Sequence, residues 1–335
     1  MSVQLATGPF GLAVTDPALD QQISAGLIAV EKLLKSSTQS RHPFIATTAG
    51  HLMAAGGKRV RPLLTLMAAQ FGDPDAPGVI AAAAVVELTH QATLYHDDVM
   101  DEASMRRGTP SANARWDNSI AILSGDFLFA KASQILADLG PEAVRLQAVT
   151  FERLVTGQIN ECVGPRADEP AIDHYLQVLA DKTGSLIATS ARFGALLSGA
   201  PAPVVDLLTS FGETFGVAFQ LSDDVLDIAS DSEQSGKTPG TDLREGVPTL
   251  PTLYALASTD PESARLRELL SGPIEDDDLI DEVIAALRVH PALDQARATV
   301  ARYADQAREL LAPLPELPAK AALLALCDLV TSRTV

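Results

Sequence analysis

Apolar residues recur along most of the chain at three- and four-residue intervals, the spacing that gathers them on one face of an α-helix. The first such run is Ile23, Leu27, Val30, Leu33 and Leu34, and the pattern resumes from Phe44 to Met53. Gly56-Gly57 interrupts it, and the next helix is predicted to run to about Phe71 with Pro62 in its first turn, where a missing N–H costs nothing. Pro77-Gly78 opens a long apolar helix over 79–102. Further helices are predicted through AILSGDFLFAKASQILADL and over 142–163, 172–197 and 204–229. Inside 172–197 lies Lys182-Thr183-Gly184-Ser185, a glycine among hydroxyl residues that predicts a kink. Residues 230–251, punctuated by Gly236, Gly240 and Gly246, read as an ordered loop or lid. From Pro251 onward the prolines at 261, 273, 291, 313 and 318 divide the chain into shorter amphipathic helices. No stretch sustains the two-residue alternation of a half-buried strand, so no sheet is expected. The expectation is an all-α fold: a loose N-terminal arm over 1–18 and a single helical domain over 19–335.

Composition supports that reading and narrows the partners. Of 335 residues, 47% are hydrophobic but only 4% aromatic, so the core must rest on small and aliphatic side chains. A formal net charge of −18 disfavours nucleic acid, whose phosphates need a basic surface, and makes any cluster of cations informative. Cys162 and Cys327 are too few and too far apart for a disulfide framework or a zinc site, which fits a reducing cytoplasm. The N-terminus lacks a basic region followed by an apolar core, so no signal peptide is expected. No uninterrupted apolar run of about 18 residues marks a transmembrane segment.

The candidate chemistry starts at the end of the 79–102 helix. Asp97, Asp98 and Asp101 form a DDxxD pattern that recurs as Asp223, Asp224 and Asp227. On a helix, positions i and i+4 share a face and i+1 lies about 100° away, so each pattern aims carboxylates at one small volume. A lone pattern of this kind also reads as a solvated face. Each copy here closes an apolar run, however, and acids at a buried helix end are costly unless paired or coordinated. Two such clusters facing each other would form a cage of hard oxygen ligands suited to Mg²⁺.

Cations accompany the acids. Lys58, Arg59 and Arg61 sit in GGKRVRP on a glycine-hinged turn before a helix, either an ordinary basic loop or an anion site, and Arg106-Arg107 follows the first acid cluster. His90 lies seven residues, two helical turns, before Asp97 and so on the same side of the helix; it reads equally as a core histidine or a ligand contact. Acids, cations and an apolar helix together suit a diphosphate carrying an apolar tail. Ionisation of an allylic diphosphate would then need metal and cations on the leaving group and a dry wall beside the carbocation.

At this point the chain resembles the trans-isoprenyl diphosphate synthases over nearly its whole length. GGKRVRP (56–62), HDDVMDEASMRRG (96–108), KTGSLI (182–187), FQLSDDVLD (219–227) and GKTPGTDLREG (236–246) correspond in order to that family's motifs. The resemblance implies an isoprenoid synthase-type helical bundle around a central cavity, a homodimer, and addition of isopentenyl diphosphate to an allylic diphosphate. It also implies Mg²⁺, on the order of three ions per site with diphosphates bound. By motif position, Asp97, Asp98, Asp101, Asp223, Asp224 and Asp227 resemble the metal ligands. Arg106, Lys182, Thr183, Gln220 and Lys237 resemble the residues that hold the allylic diphosphate or flank its cation, and Lys58, Arg61, His90 and Arg107 resemble the isopentenyl diphosphate site. Among these, Asp97, Asp98, Asp101, Lys182, Asp223 and Asp224 resemble the catalytic set, with the departing pyrophosphate as the base for the final proton. One departure is Val247, in EGVPTLP, where many relatives carry Lys; the missing cation would weaken a diphosphate contact or lid closure, with a modest effect on activity because Lys237 and the two arginines remain.

Product length follows from sterics. A growing chain should run back along the helix from Asp97 and stop at the first bulky side chain. Ala92 and Thr93 are small where short-chain relatives place aromatics, and Leu88, Thr89 and Val85 behind them are not aromatic either. A long-chain product, a precursor of a quinone side chain, is therefore expected ahead of a farnesyl or geranylgeranyl product. A terpene cyclase would replace the second DDxxD with an Asn/Ser/Glu-type motif, and a non-catalytic subunit of a prenyl synthase would have degraded acid motifs; both motifs are intact.

Overall fold

In the computed structural model, which describes residues 16–229 and 240–334, the apolar runs become helices in the expected order. Helix α1 (Pro17–Ser37) begins at Asp16, whose side chain accepts the Leu19 N–H at 2.9 Å and so satisfies one of the donors left open at a helix start. Then come α2 (Pro43–Ala49), α3 (His51–Ala54), α4 (Val60–Ala69), α5 (Gly78–Met100), α6 (Ala112–Arg115), α7 (Asn118–Leu139) and α8 (Pro141–Val163). Helices α9 (Ala171–Leu179) and α10 (Ser185–Leu197) are joined by a π-helical turn over Ala180–Gly184, at the place where the kink is expected. Next are α11 (Ala202–Ala229), α12 (Thr241–Glu245), α13 (Leu250–Ala257), α14 (Ala264–Leu269), α15 (Asp277–Val289), α16 (Pro291–Leu311) and α17 (Pro318–Ser332).

Three details differ from the sequence expectation. A two-residue ladder exists, β1 (Met105–Arg106) with β2 (Thr109–Pro110), closed by Arg107-Gly108 with φ of 54° and 72°. Positive φ at both turn residues is the twist a two-residue hairpin requires, and strands this short leave no periodic signal. Helix α16 is longer than expected, 21 residues, with Pro291 at its start, where proline is tolerated and where it divides α16 from α15. Among the described residues one helix, α7, is long and apolar enough by composition to cross a bilayer, with 33% of that window buried.

The chain divides into two units. Unit 1 comprises residues up to Phe151 with Leu186–Gly212 and Pro313–Leu323; unit 2 comprises Glu152–Ser185, Glu213–Ala312 and Leu324–Val335. In unit 1, α5 buries Val79, Ala82, Ala83, Ala84, Val85, Val86 and Leu88 among α1, α4 and α7. Small residues let these helices approach closely. A Cβ placed on Gly194 of α10 would stand 2.0 Å from the Thr65 carbonyl of α4, a distance no side chain can occupy. Unit 2 has its own core, in which Ile228, Leu243, Leu266, Ile274, Ile280, Val283 and Leu287 are buried together.

Candidate active site

The C-terminal end of α5 is anchored before it is charged. Tyr95 is fully buried, donates its hydroxyl to the Thr48 carbonyl at 2.5 Å and accepts the Leu52 N–H at 3.2 Å, which ties α5 to α2 and α3. Asp97, Asp98 and Asp101 follow. Asp98 is buried and receives the Arg106 Nε at 2.6 Å, while Asp97 is half-buried and Asp101, at the helix cap, is exposed. Burial pushes the Asp98 carboxyl above the usual range, and Arg106 opposes that shift. Its second oxygen, Oδ2, is buried with no hydrogen-bond partner.

The β1–β2 hairpin delivers the two adjacent arginines in different directions. Arg106 turns to Asp98, whereas Arg107 reaches back to the glycine turn, donating to the carbonyls of Gly56 and Leu52 and to Gln91 Oε1 at 3.2 Å. Gln91 is held by Glu87 at 2.7 Å, and Glu87 also receives Arg59 at 2.9 Å. Arg59 pairs in addition with Glu31, so of the three cations in GGKRVRP this one is committed to the scaffold. Lys58 stays exposed at the turn.

Arg61 and His90 complete a group rich in positive charge. Burial lowers Arg61 to about 10, with the nearby Arg107 adding to the shift, and its Nε has no hydrogen-bond partner. Burial likewise lowers His90 well below the ordinary imidazole value, reinforced by Arg61, Arg107, Arg106 and Arg59, so His90 is neutral at pH 7. Cations gathered in a poorly hydrated place, one donor unmatched, favour an anion there.

Unit 2 carries the second acid cluster on α11. Asp224 accepts the Tyr175 hydroxyl and, at 3.0 Å, the Gln220 amide, yet burial with Asp223 and Asp227 alongside raises it to about 6. Asp223 pairs with Arg333 at 2.9 Å; that arginine also donates to Ser222 Oγ and the Phe219 carbonyl and stacks over the Phe219 ring. Asp227 is half-buried. The π turn presents Thr183, whose hydroxyl donates to Gln220 at 3.3 Å, and Lys182, which pairs with Glu161. Its geometry is braced by Arg153, which bridges Asp181 at 2.9 Å and Glu213 at 2.6 Å.

Of the candidate residues, the structure gathers Arg61, His90 and Arg107 with Asp97 and Asp98 in unit 1. It gathers Thr183, Gln220 and Asp224 in unit 2. Lys237 lies outside the described residues. Val247 follows the left-handed Gly246 in the turn after α12 and donates its N–H to the Asp242 carbonyl at 2.9 Å, a bond that any residue but proline would make. Ala92, Thr93, Thr89, Leu88 and Val85 are all buried along α5.

Several contributors escaped the sequence. Tyr175 and Arg333 reach the second acid cluster from 49 and 110 residues away, distances at which no local pattern exists. Glu87 and Gln91 did leave a signal: with His90 they form a polar stripe at i, i+3 and i+4 inside an apolar helix.

Among the described residues no three Asp, Glu, His or Cys side chains converge at metal-binding spacing. The donors nevertheless fit a hard divalent cation. All are carboxylates, Asp98 keeps an unmatched buried oxygen, and Mg²⁺ takes one or two carboxylates together with water and phosphate oxygens.

Comparison with known proteins agrees with this chemistry. The polyprenyl synthetase family profile matches residues 42–287. The chain is 49% identical over 329 residues to a nonaprenyl diphosphate synthase of Mycobacterium tuberculosis, covering 98% of each chain. It superposes with a TM-score of 0.86 and 46% identity on geranylgeranyl pyrophosphate synthase from Corynebacterium glutamicum complexed with calcium and isoprenyl diphosphate, covering 95% of this chain and 98% of that one. A decaprenyl diphosphate synthase from Rhodobacter capsulatus matches with a TM-score of 0.86 and 35% identity, covering 95% and 99%.

Proposed function

Since the chain belongs to the polyprenyl synthetase family, we propose that it is a trans-prenyltransferase condensing isopentenyl diphosphate head to tail with an allylic diphosphate to give a long-chain trans-polyprenyl diphosphate. The observation that carries the reading is the half-buried group of Arg61, Arg107 and neutral His90 beside the acid end of α5.

In this reading Asp97, Asp98 and Asp101 on α5, and Asp223, Asp224 and Asp227 on α11, hold divalent cations, Mg²⁺ in the cell. Bound Mg²⁺ supplies charge neutralisation to the diphosphate and improves it as a leaving group. Arg106, Lys182, Thr183, Gln220 and Lys237 hold the allylic diphosphate. Lys58, Arg61, His90 and Arg107 hold that of isopentenyl diphosphate, where a neutral His90 offers an N–H donor and the arginines supply the charge. The allylic C1–O bond breaks with its electron pair leaving on diphosphate. The isopentenyl double bond attacks C1, and a proton from its C2 passes to the released pyrophosphate. The wall formed by α5 behind Asp97 keeps water from the cation.

A homodimer in a reducing cytoplasm completes the proposal. Unit 1 supports the dimer by exposing Ile122, Leu123, Val144 and Val149 on α7 and α8. The long-chain reading is favoured by the likeness to a nonaprenyl diphosphate synthase, and the alternative of a short-chain product rests on the likeness to a geranylgeranyl pyrophosphate synthase. One assay separates the readings: the purified chain with Mg²⁺, labelled isopentenyl diphosphate and an allylic primer, products resolved by chromatography. Long-chain products are expected, and Ala92→Phe should shorten them. Termination at farnesyl or geranylgeranyl diphosphate overturns the length, and no incorporation overturns the activity.

A further inference from the structure

The stripe of α5 behind Asp97 is free of aromatics, yet it is crossed by a polar contact from another helix. Gln147 of α8 donates its amide nitrogen to Thr89 Oγ1 at 2.8 Å, and both side chains are buried. Thr89 stands eight residues before Asp97, about 12 Å along the helix axis. The amide's other end, Oε1, is buried with no hydrogen-bond partner. Next to this contact Thr150, one turn along α8, meets Thr189 of α10 at 2.6 Å, so α5, α8 and α10 share one polar layer. Helix α8 also lies beside the stripe nearer Asp97. Phe151, one turn beyond Gln147 on the same face, packs at 4.5 Å against Phe129, whose ring lies 5.7 Å from His96.

A half-satisfied amide is a costly thing to place in an apolar layer, since an aliphatic side chain would fill the same space without leaving an acceptor unmatched. Packing alone therefore does not account for Gln147. Its position across the path of a growing hydrocarbon does, and this rests on the prenyltransferase reading above. We propose that Gln147, held on Thr89, is a bar that sets the product length: the apolar chain advances past Ala92 and Thr93 until it meets an amide it can neither bond nor displace without breaking the Thr89 contact. The specificity determinant thus comes from α8 and from polarity, where inspection of α5 alone finds only small and aliphatic side chains.

The test uses the full-length protein and the product assay already described, reading the length distribution normalised to total incorporation. Gln147→Ala removes the bar and should shift the main product to greater length by one or more isoprene units. Thr89→Val, nearly isosteric and certain to disturb packing less, frees the amide and should broaden the distribution toward longer products. Wild-type distributions in both variants, or shorter ones, overturn the inference while leaving the prenyltransferase reading intact. If Gln147→Ala does not fold, as judged by circular dichroism, Thr89→Val decides alone. A wild-type protein that makes no prenyl product fails the parent reading first and takes this inference with it.

Discussion

Two arginines show how single residues are held in conformations that their neighbours must enforce. Arg59 and Arg107 both adopt left-handed backbone angles, φ 54°, which side chains with a Cβ seldom take. Each is fixed through its guanidinium, Arg59 by Glu31 and Glu87 and Arg107 by the Gly56 and Leu52 carbonyls and Gln91. Their charge in turn acts on His90. Unfolded, this imidazole titrates near pH 6.5, whereas burial and the surrounding arginines keep it neutral in the folded protein well below that value. As pH falls below about 6.5 the unfolded state therefore binds a proton that the folded state refuses. Stability declines across that window, by at most about 1.4 kcal/mol per pH unit for one proton, until the folded pKa is reached. His90→Gln removes the group and should flatten the slope between pH 7 and pH 5. Urea unfolding of both proteins across that range checks it, and equal slopes would show that His90 protonates freely when folded.

At the scale of elements, the helices were legible because burial imposes a period on long segments, from Ile23–Leu34 in α1 to the 28 residues of α11. The interruption at Lys182–Ser185 was legible too, since glycine among hydroxyl residues weakens a helix, but its form was not. An added residue makes a π turn and keeps α9 and α10 continuous through it. The β1–β2 hairpin was not legible, because Arg-Gly is an unusual pair for a turn needing two positive φ values. The acid motifs of the candidate site stood out by local spacing, and its cations as two short clusters in an acidic chain. Tyr175, Arg153 and Arg333 could not, because they meet their partners only through tertiary packing. The π turn carries a prediction of its own. A Cβ on Gly157 of α8 would lie 2.6 Å from the Lys182 backbone nitrogen and 3.1 Å from the Asp181 carbonyl carbon. Backbone atoms cannot yield as a flexible side chain can, so in Gly157→Ala the turn must move and take Lys182 and Thr183 with it. Overpacking of this kind costs about 1–3 kcal/mol, and a misplacement of about 1 Å at a reacting centre can cost roughly a hundredfold in rate. Turnover should fall tenfold or more while the helix content stays that of the wild type; full turnover would show that the turn does not position these residues.

The whole molecule is acidic, yet Arg59, Arg61, Arg106 and Arg107 act together on His90 in unit 1, a distribution that attracts divalent ions broadly and admits an anion locally. Its apolar surface is equally uneven. Helix α7 meets the length and composition of a membrane-spanning helix, but its polar residues, among them Asp126 and Lys131, sit within the same window, and α5 covers one side. Left exposed are apolar side chains of both α7 and α8: Ile122 and Leu123, the latter 61% exposed, with Val144 and Val149. Joined in one band, such residues would suit a second copy of the same surface, because a two-fold interface is self-complementary and each residue buried on one side is buried again on the other. A stable interface of this kind buries roughly 1,600 Å² in total. Leu123→Glu would set a carboxylate in that band on both copies, unpaired and facing apolar neighbours, and the cost would be counted twice. Sedimentation at micromolar concentration should then show a dimer for the wild type and a shift toward monomer for the variant, with helical content retained. A wild type that sediments as monomer throughout, or a variant that stays fully dimeric, would place the band outside any self-association surface.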